Sequence, residues 1–480
     1  MNRRMVIFTV GQMLKVESLI LVLPLFVSMI YKEQSFFAYF LTIAIALASG
    51  FIMTLIARPR NHVIYAKEGF VIVSLAWVFM SLIGALPFVI SGEIPNYIDA
   101  VFETVSGFTT TGASILNDVE SLSKSNLFWR SFTHWVGGMG VLVFVMAIIP
   151  KFSDRSIHLL RAEVPGPIVG KLVPKIKDTA KILYLIYIAL TAIEIVFLLC
   201  GGMSLFDSVV HSFGTAGTGG FGIKADSIGG YNHYIQWVIA IFMLLFGINF
   251  NLFYLALLKK FRAVFKSTEI WVYFGIVAAS VMIIAYNIYP IYKNIADCLR
   301  LSTFQVSSII TTTGYSTADF DAWPVLSKTI LLMLMFIGGC AGSTAGGIKV
   351  SRVILLIKMI KQELRHLLHP NSVSAVKYEG KTVENATQKS VSAYLAMYVC
   401  VFVTIIFIIS FDKFDVVTNI SAAAACFNNI GPGFEAVGPM CSFAGYSYLS
   451  KIALSIAMLL GRLEIYPLFI AFSASTWTKE

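Results

Sequence analysis

"SSIITTTGYSTADF", residues 307–320, places three threonines and one glycine between two long apolar segments of the chain. Backbone polar groups at membrane depth are tolerated only where protein or water satisfies them. Two properties of the chain decide what this turn does: whether its neighbours cross a membrane, and whether the turn recurs elsewhere.

Composition places the chain far from ordinary soluble proteins. Of its 480 residues, 57% are hydrophobic and only 13% are charged, against about 25% charged in a typical soluble domain. The sequence contains no phosphate-binding GxxxxGK[ST] loop, no HExxH and no paired acid/base cluster, so we expect a non-enzyme without an organic cofactor. Its six cysteines lack metal-ligand spacing, and a disulfide between Cys298 and Cys441 stays an open alternative.

Apolar stretches of about 20 residues match the ~30 Å hydrocarbon core of a bilayer. The sequence predicts ten such spans, at 5–30, 36–57, 68–91, 127–149, 181–201, 234–258, 269–290, 327–349, 390–411 and 449–473. Lysine and arginine concentrate in the even-numbered connections, which predicts that these connections and both termini are cytoplasmic. The formal charge of +10 is therefore read as an orientation signal and a partner surface (151–181, 259–266, 349–389), not as a nucleic-acid site.

The turn recurs. "YIDAVFETVSGFTTTGAS" (97–114) aligns without gaps with "LFDSVVHSFGTAGTGGFG" (205–222), and "LSTFQVSSIITTTGYS" (301–316) and "TNISAAAACFNNIGPG" (418–433) repeat the ending. Each copy runs an apolar stretch into a polar tripeptide and then a glycine. Thr-Gly is a common turn pair, so one copy would be an ordinary loop. Four copies, each between two spans on one face, favour a repeated unit.

The predicted fold is an all-α polytopic membrane protein. Two leading transmembrane helices (1–65) precede four units of span, short pore helix, polar turn and span, at 66–155, 156–265, 266–375 and 376–480. Each unit resembles a subunit of a potassium channel, in which a Thr- and Gly-containing filter presents carbonyl oxygens to the ion. Glycine suits such a filter because it adopts backbone angles that turn carbonyls toward an axis.

The eighth span is the one span with a clear break in its sequence. Residues 338–348 are almost all small, and five of these eleven are glycines, each of which costs a helix about 1 kcal/mol relative to alanine. A break there would put a mobile loop under the filter, although tight helix packing is an alternative. Lys349 closes the stretch and is either part of the loop or a simple positive-inside anchor.

Arg462 lies in the middle of the last span, where an ionised side chain is costly and by default functional. Three alternatives stay open from the sequence. Arg462 pairs with Glu464, pairs with another carboxylate as a structural ion pair, or faces a water-filled pore.

The strings "TTTGAS", "TGGFG", "TTTGYSTADF", "NNIGPGFEAVGP" and "GGCAGSTAGGIK" resemble the Trk/Ktr/HKT superfamily of potassium transporters. The two leading spans make the chain most like the bacterial TrkH/TrkG membrane subunits. The resemblance covers essentially the whole chain. It implies potassium uptake through a single-chain pore with fourfold pseudosymmetry and one main K⁺ position, the ion being cargo rather than cofactor.

The resemblance also implies site residues. The potassium-binding filter would comprise Thr110, Thr111, Gly112, Thr218, Gly219, Gly220, Thr312, Thr313, Gly314, Asn429, Ile430 and Gly431. The intramembrane gating loop would comprise Gly338, Gly339, Gly342, Ser343, Thr344, Gly346, Gly347 and Lys349. Arg462 would be a cation barrier in the pore. Gly219 and Ile430 depart from a hydroxyl-rich pattern, so only their backbone oxygens are expected to serve.

Partners follow from the same resemblance. We expect a homodimer in the cell inner membrane, controlled by a TrkA-like cytosolic subunit that itself binds NAD(H) or ATP/ADP. A secondary symporter, coupled to H⁺ or Na⁺ or carrying a small solute on broken helices, is the alternative.

Overall fold

A computed structural model describes residues 1–59, 65–140, 176–371 and 375–477. The regular secondary structure in these ranges is α-helical, apart from short 3₁₀ turns and one antiparallel hairpin of β1 (Lys377–Tyr378) and β2 (Lys381–Thr382). The helices are α1 Arg3–Ile20, α2 Val22–Tyr31, α3 Phe36–Ile56, α4 Ala66–Gly84, α5 Leu86–Ile90, α6 Tyr97–Phe108, α7 Lys124–Gly138, α8 Ile176–Cys200, α9 Leu205–Gly217, α10 His233–Phe246, α11 Phe250–Leu257, α12 Phe261–Phe265, α13 Thr268–Tyr292, α14 Ile295–Ile310, α15 Val325–Ile337, α16 Val350–Leu368, α17 Asn385–Ile409, α18 Val416–Phe427, α19 Tyr448–Arg462, α20 Tyr466–Phe472 and α21 Ala474–Trp477.

Apolar helices long enough to cross a membrane dominate the described ranges. Six qualify by length and composition, or eight if two bent pairs of helices each count as one span. Of the predicted span 127–149, residues 141–149 lie outside the described residues, as does most of the predicted basic surface 151–181. The count of ten spans therefore stays a prediction.

The expectation that only the eighth span is broken is wrong. The predicted span 234–258 bends by 92° between α10 and α11, and the span 449–473 bends by 118° between α19 and α20. The first bend follows Gly247, where the Asn249 side chain caps α11 by accepting the N–H of Asn251. At the second, Glu464 and Ile465 both adopt positive φ angles, which only tertiary contacts impose on such residues.

Four shorter helices (α6, α9, α14 and α18) precede the four polar turns. Each begins at a side-chain cap, in which Asn96, Ser204, Asn294 or Asp415 accepts a backbone N–H of the first turn. Such caps satisfy donors that a helix leaves unpaired at its N-terminus. Each short helix therefore starts at a defined residue and delivers its C-terminal end to the following turn.

The two ends of the chain lie together. An NH group of Arg3 donates to the carbonyl of Trp477 at 2.6 Å, and Lys67 Nζ donates to the carbonyl of Ser475 at 3.1 Å. All six cysteines are free, so the alternative of a Cys298–Cys441 disulfide is wrong. Cys298 is buried and Cys441 is exposed.

Candidate functional site

The four turns share one backbone conformation. The second residue of each tripeptide has a φ angle between 55° and 58°, at Thr110, Thr218, Thr312 and Asn429. The glycine that follows two residues later also has a positive φ, from 74° at Gly220 to 100° at Gly431. Positive φ is uncommon for threonine, so its recurrence at three threonines marks a shared structure. For the glycines this conformation carries no steric cost.

One hydrogen bond fixes each turn to its short helix. The third residue of the tripeptide donates its N–H to the carbonyl five residues earlier, in every case at 2.8 Å. The pairs are Thr111 to Ser106, Gly219 to Gly214, Thr313 to Ser308 and Ile430 to Ala425. This bond is typical of a helix C-terminus closed by left-handed residues. Because only backbone atoms form it, the turn tolerates Gly219 and Ile430 where the other copies have threonine.

The four turns meet in a closed ring. A Cβ added to Gly112 would overlap with the carbonyl oxygen of Gly219, and one added to Gly220 would overlap with that of Thr313. A Cβ added to Gly314 would likewise overlap with the carbonyl oxygen of Ile430. The ring closes at Gly431, where an added Cβ would lie 2.7 Å from the carbonyl oxygen of Thr111. Each glycine is therefore required by the close approach of the next turn.

A cavity of about 380 Å³ lies against one side of this ring, and all four glycines line it. Most of its other lining residues, such as Lys224, come from the segments that follow the turns, and helix α7 contributes the buried Arg130. The four predicted filter glycines and the carbonyl oxygens of Thr111, Gly219, Thr313 and Ile430 are thus brought together in one ring beside this cavity.

Residues 338–349 lie against the third and fourth turns. Helix α15 ends at Ile337 and α16 begins at Val350, and between them Gly338, Gly342 and Gly347 have φ angles of 73–74°. The N–H of Gly346 donates to Thr312 Oγ1 at 2.7 Å. A Cβ on Gly346 would also overlap with the carbonyl oxygen of Asn428.

The bend between α10 and α11 and the start of α13 hold the loop in place through hydrogen bonds. The N–H of Cys340 donates to the carbonyl of Gly247 at 3.0 Å, and Gly342 accepts the N–H of Phe250 at 3.0 Å. Glu269 Oε1 accepts the N–H of Ala341 at 2.7 Å and that of Ser351 at 3.1 Å. The sequence reasoning missed Glu269. The only signal was a carboxylate at the first residue of a predicted span.

Lys349 is not a membrane-surface anchor. Its side chain is buried and its Nζ donates to the carbonyl of Ala345 inside the loop. The remaining predicted loop residues lie in the same segment, where Ser343 Oγ donates to the carbonyl of Cys340 at 2.7 Å and Thr344 Oγ1 donates to that of Phe246 at 3.3 Å. Gly339 accepts the N–H of Val350 at 3.0 Å.

Arg462 joins the loop to the first repeat. It donates to the carbonyl of Thr344 at 2.7 Å and to those of Gly137 and Gly138 at 2.7 and 2.6 Å. Glu464, a partner considered for Arg462, forms a two-pronged ion pair with Arg352 instead, at 2.9 and 2.5 Å. Carbonyl oxygens thus solvate Arg462 in place of water.

A small cavity of about 60 Å³ lies between the loop and Arg462. Its lining includes Lys349, Arg462 and Glu464 together with Gly138 and Gly346. Two basic side chains, Lys349 and Arg462, thus line this cavity beside residues of the loop.

Comparisons with known proteins agree with this architecture. A family model described as "TrkH: Cation transport protein" matches residues 33–479. The chain is 36% identical to the "Trk system potassium uptake protein TrkH" of Salmonella typhimurium over 100% of both chains. It is 34% identical to the TrkG protein of the same system in Escherichia coli, over 99% of this chain and 98% of that one.

The fold matches a solved structure as well. The crystal structure of the potassium transporter TrkH from Vibrio parahaemolyticus superposes with a TM-score of 0.88 at 32% identity, covering 100% of each chain. The prediction of a helical membrane protein of the Trk type is confirmed. By the match of the family model and of full-length relatives, the chain belongs to the TrkH family of cation transport proteins.

Proposed function

We propose that this chain is the membrane subunit of a Trk-type system and takes up potassium across the cell inner membrane. The ring of four turns is the observation that carries the proposal. Its closest approaches lie between glycines and carbonyl oxygens, and in this proposal these oxygens replace the water that the ion sheds. The naming of the full-length relatives as potassium uptake proteins supports K⁺ as the cargo.

The twelve predicted filter residues act as one selectivity filter in this proposal. The tripeptide carbonyls beside Gly112, Gly220, Gly314 and Gly431 replace the hydration shell of the ion. The short helices α6, α9, α14 and α18 each end at a turn, so the negative ends of their dipoles lie near the cation. One glycine per repeat gives a short filter with one main binding position.

The loop 338–349 is the gate of the proposed pore. It contacts the turns through Gly346 and Thr312, and Arg462 holds it to the carbonyls of the first repeat. Opening would require the loop to leave Arg462, after which Arg462 and Lys349 would still oppose cations electrostatically. We infer that this conformation is the closed one.

Helix α16 offers a route for control by a partner. It begins immediately after the loop and exposes apolar Ile357, Ile360 and Leu364 beside basic Lys358 and Lys361. A cytosolic TrkA-like subunit that binds NAD(H) or ATP/ADP could move the loop through this helix. The contact between the chain ends supports placing both termini on one side, which we take as cytoplasmic, and we propose a homodimer as the working assembly.

A secondary symporter is the second candidate. Bends in the spans 234–258 and 449–473 favour it, because symporters bind ions at broken helices. An inward gradient of H⁺ or Na⁺ would then drive K⁺ accumulation at zero membrane potential, whereas a pore would only equilibrate K⁺.

The test is Rb⁺ uptake into vesicles with the purified protein, competed by K⁺ or Na⁺. Gly314→Ser should lower flux and the preference for K⁺ over Na⁺, because its side chain would meet the Ile430 carbonyl. Gly92→Ser is the matched control, since Gly92 also has a positive φ of 78° but has open space around it. If Gly314→Ser behaves like Gly92→Ser, the filter proposal fails.

A further inference from the structure

Helix α7 carries two polar side chains four residues apart, Arg130 and His134, which share one face of the helix. Both are buried, with 2% and 0% of their surface exposed. Both reach back to the first short helix, α6, and forward to the segment that follows Gly220. They therefore bridge the first and second quarters of the ring.

The imidazole of His134 makes one contact on each side. Its Nδ1 lies 2.7 Å from the carbonyl oxygen of Gly107, and its Nε2 lies 3.3 Å from the backbone nitrogen of Phe221. A carbonyl only accepts and a backbone N–H only donates, so these partners assign a neutral ring with the proton on Nδ1. The ring also packs on that of Phe221, with centroids 4.3 Å apart.

Arg130 makes a parallel set of contacts. Its Nε donates to Glu103 Oε1 at 2.8 Å on the side of α6. On the other side its guanidinium lies 4.0 Å from the ring centroid of Phe221 and donates to the carbonyl of Gly222 at 3.3 Å. Phe221 directly follows the glycine of the second turn and is held by both side chains.

The other three repeats show that packing alone does not require polar residues here. Arg130 and His134 lie seven and eleven residues after Ser123, the N-cap of α7. The same distances from Asn232, Pro324 and Ser447, which precede α10, α15 and α19, give Ile239 and Met243, Leu331 and Met335, and Leu454 and Met458. All six are buried. An aliphatic residue and a methionine thus fill this position in three repeats.

The second turn also lacks a support that two others have. In the first turn, the hydroxyls of Thr109 and Thr111 lie 2.8 Å apart, and in the third those of Thr311 and Thr313 lie 2.8 Å apart. In the second turn the corresponding residues are Gly217 and Gly219, which have no hydroxyl. A Cβ on Gly219 would collide with the imidazole of His134. The histidine ring occupies the space behind this turn.

We propose that His134, braced by Arg130, is the positioning residue of the second quarter of the filter. It replaces the threonine hydroxyl pair of the first and third turns and sets where the carbonyls of Thr218 and Gly219 point. Selectivity for K⁺ over Na⁺ then depends on a side chain that does not touch the ion. The inference rests on the proposed function, because it assumes that the ring of turns is the filter.

The deciding variant is His134→Met, which installs the residue found at this position in the other three repeats. It removes both hydrogen bonds and retains a buried apolar fit. We expect Rb⁺ flux to persist while the preference for K⁺ over Na⁺ falls about three- to tenfold, the effect of one or two modest hydrogen bonds. A merely structural role would lower the amount of folded protein and the flux of both ions together.

His134→Asn is the second variant. The asparagine amide can still donate to the Gly107 carbonyl but is too short to accept from the Phe221 nitrogen. The preference for K⁺ over Na⁺ should therefore fall in the His134→Asn variant as well. It decides the question if the Met variant does not fold. Met243→Leu, at the equivalent position of the second repeat, is the matched control and should leave the preference unchanged.

Gly314→Ser, measured in parallel, separates the two proposals. If it lowers the K⁺/Na⁺ preference while both His134 variants keep that of the unmodified protein, the positioning role is overturned and the filter stands. If Gly314→Ser also leaves the preference unchanged, the filter assignment itself is wrong.

Discussion

The side-chain amide of Asn429 lies 2.9 Å from Thr111 Oγ1 and 2.9 Å from the carbonyl oxygen of Met458. The fourth turn thus bonds directly to the first, across 318 residues of sequence. Asparagine also tolerates the positive φ that this position requires. One residue therefore serves both the local turn and the closure of the ring.

Replacing Asn429 tests this closure. Asn429→Thr installs the residue of the other three turns, so the backbone should hold while the bonds from the amide are lost. We expect the free energy of unfolding to fall by about 1–2 kcal/mol, measured by thermal denaturation in detergent. Asn429→Leu should cost more stability, because leucine has no polar atom for Thr111 Oγ1 or the Met458 carbonyl and the other turns contain no precedent for leucine at this positive φ. Equal stability of Asn429→Thr and the unmodified protein would contradict a role in closure.

Shortening the loop tests the gate. Deleting residues 340–346 removes Thr344 and Gly346, and with them the contacts to Arg462 and Thr312. Basal Rb⁺ flux without any regulatory partner should rise. The K⁺/Na⁺ preference should stay, because the turns themselves are intact. Flux that stays at the level of the unmodified protein would mean that the loop does not block the pathway.

Arg462 is expected to hold the gate closed through hydrogen-bond geometry as well as charge. Arg462→Met should raise basal flux, because the carbonyls of Thr344, Gly137 and Gly138 lose their donor. Arg462→Lys keeps the charge, but a compact ammonium cannot reproduce the planar fork of the guanidinium. Single-channel or flux recordings should therefore place Lys between Met and the unmodified protein. If Arg462→Lys has the same basal flux as the unmodified protein, the positive charge alone would hold the gate closed.

Glu269 offers a finer test of the same loop. Glu269→Gln keeps a carbonyl oxygen that can accept the N–H groups of Ala341 and Ser351, so basal flux should change little. Glu269→Leu leaves both donors unpaired in a buried place, which typically costs about 1–3 kcal/mol each, and should loosen the loop. The measurement is basal Rb⁺ flux of the two variants side by side. If basal Rb⁺ flux rises as much in Glu269→Gln as in Glu269→Leu, the negative charge of Glu269 would hold the loop rather than its hydrogen bonds.

Local chemistry explains which features could be predicted from the sequence. Three of the four turns contain threonine and all four end in a glycine that follows a short helix, so their positions follow from a repeat that is visible by eye. The break at 338–348 follows from its glycines in the same way. The bend at Glu464 and Ile465 has no such signature, because residues distant in sequence impose it: Glu464 is held by Arg352, 112 residues away.

The bridge that Arg130 and His134 form between the first and second quarters of the ring could not be predicted from the sequence for a similar reason. Arg130 and His134 stand four apart inside a predicted span, a pattern that marks a polar helix face. Nothing in the sequence says that this face meets Phe221, and the absence of a side chain at Gly219 becomes meaningful only when the imidazole is seen beside it.

Building the ring from one chain has an evolutionary consequence. In a pore of four identical subunits, every mutation changes all four quarters at once. A histidine packed behind one turn would then have to fit behind all four turns. Here a mutation can alter a single quarter, as the pairing of Gly219 with His134 illustrates, while the other three quarters stay unchanged. The close glycine-to-carbonyl approaches restrict substitution at one position per repeat, whereas the position before that glycine differs between the repeats and holds Thr111, Gly219, Thr313 or Ile430.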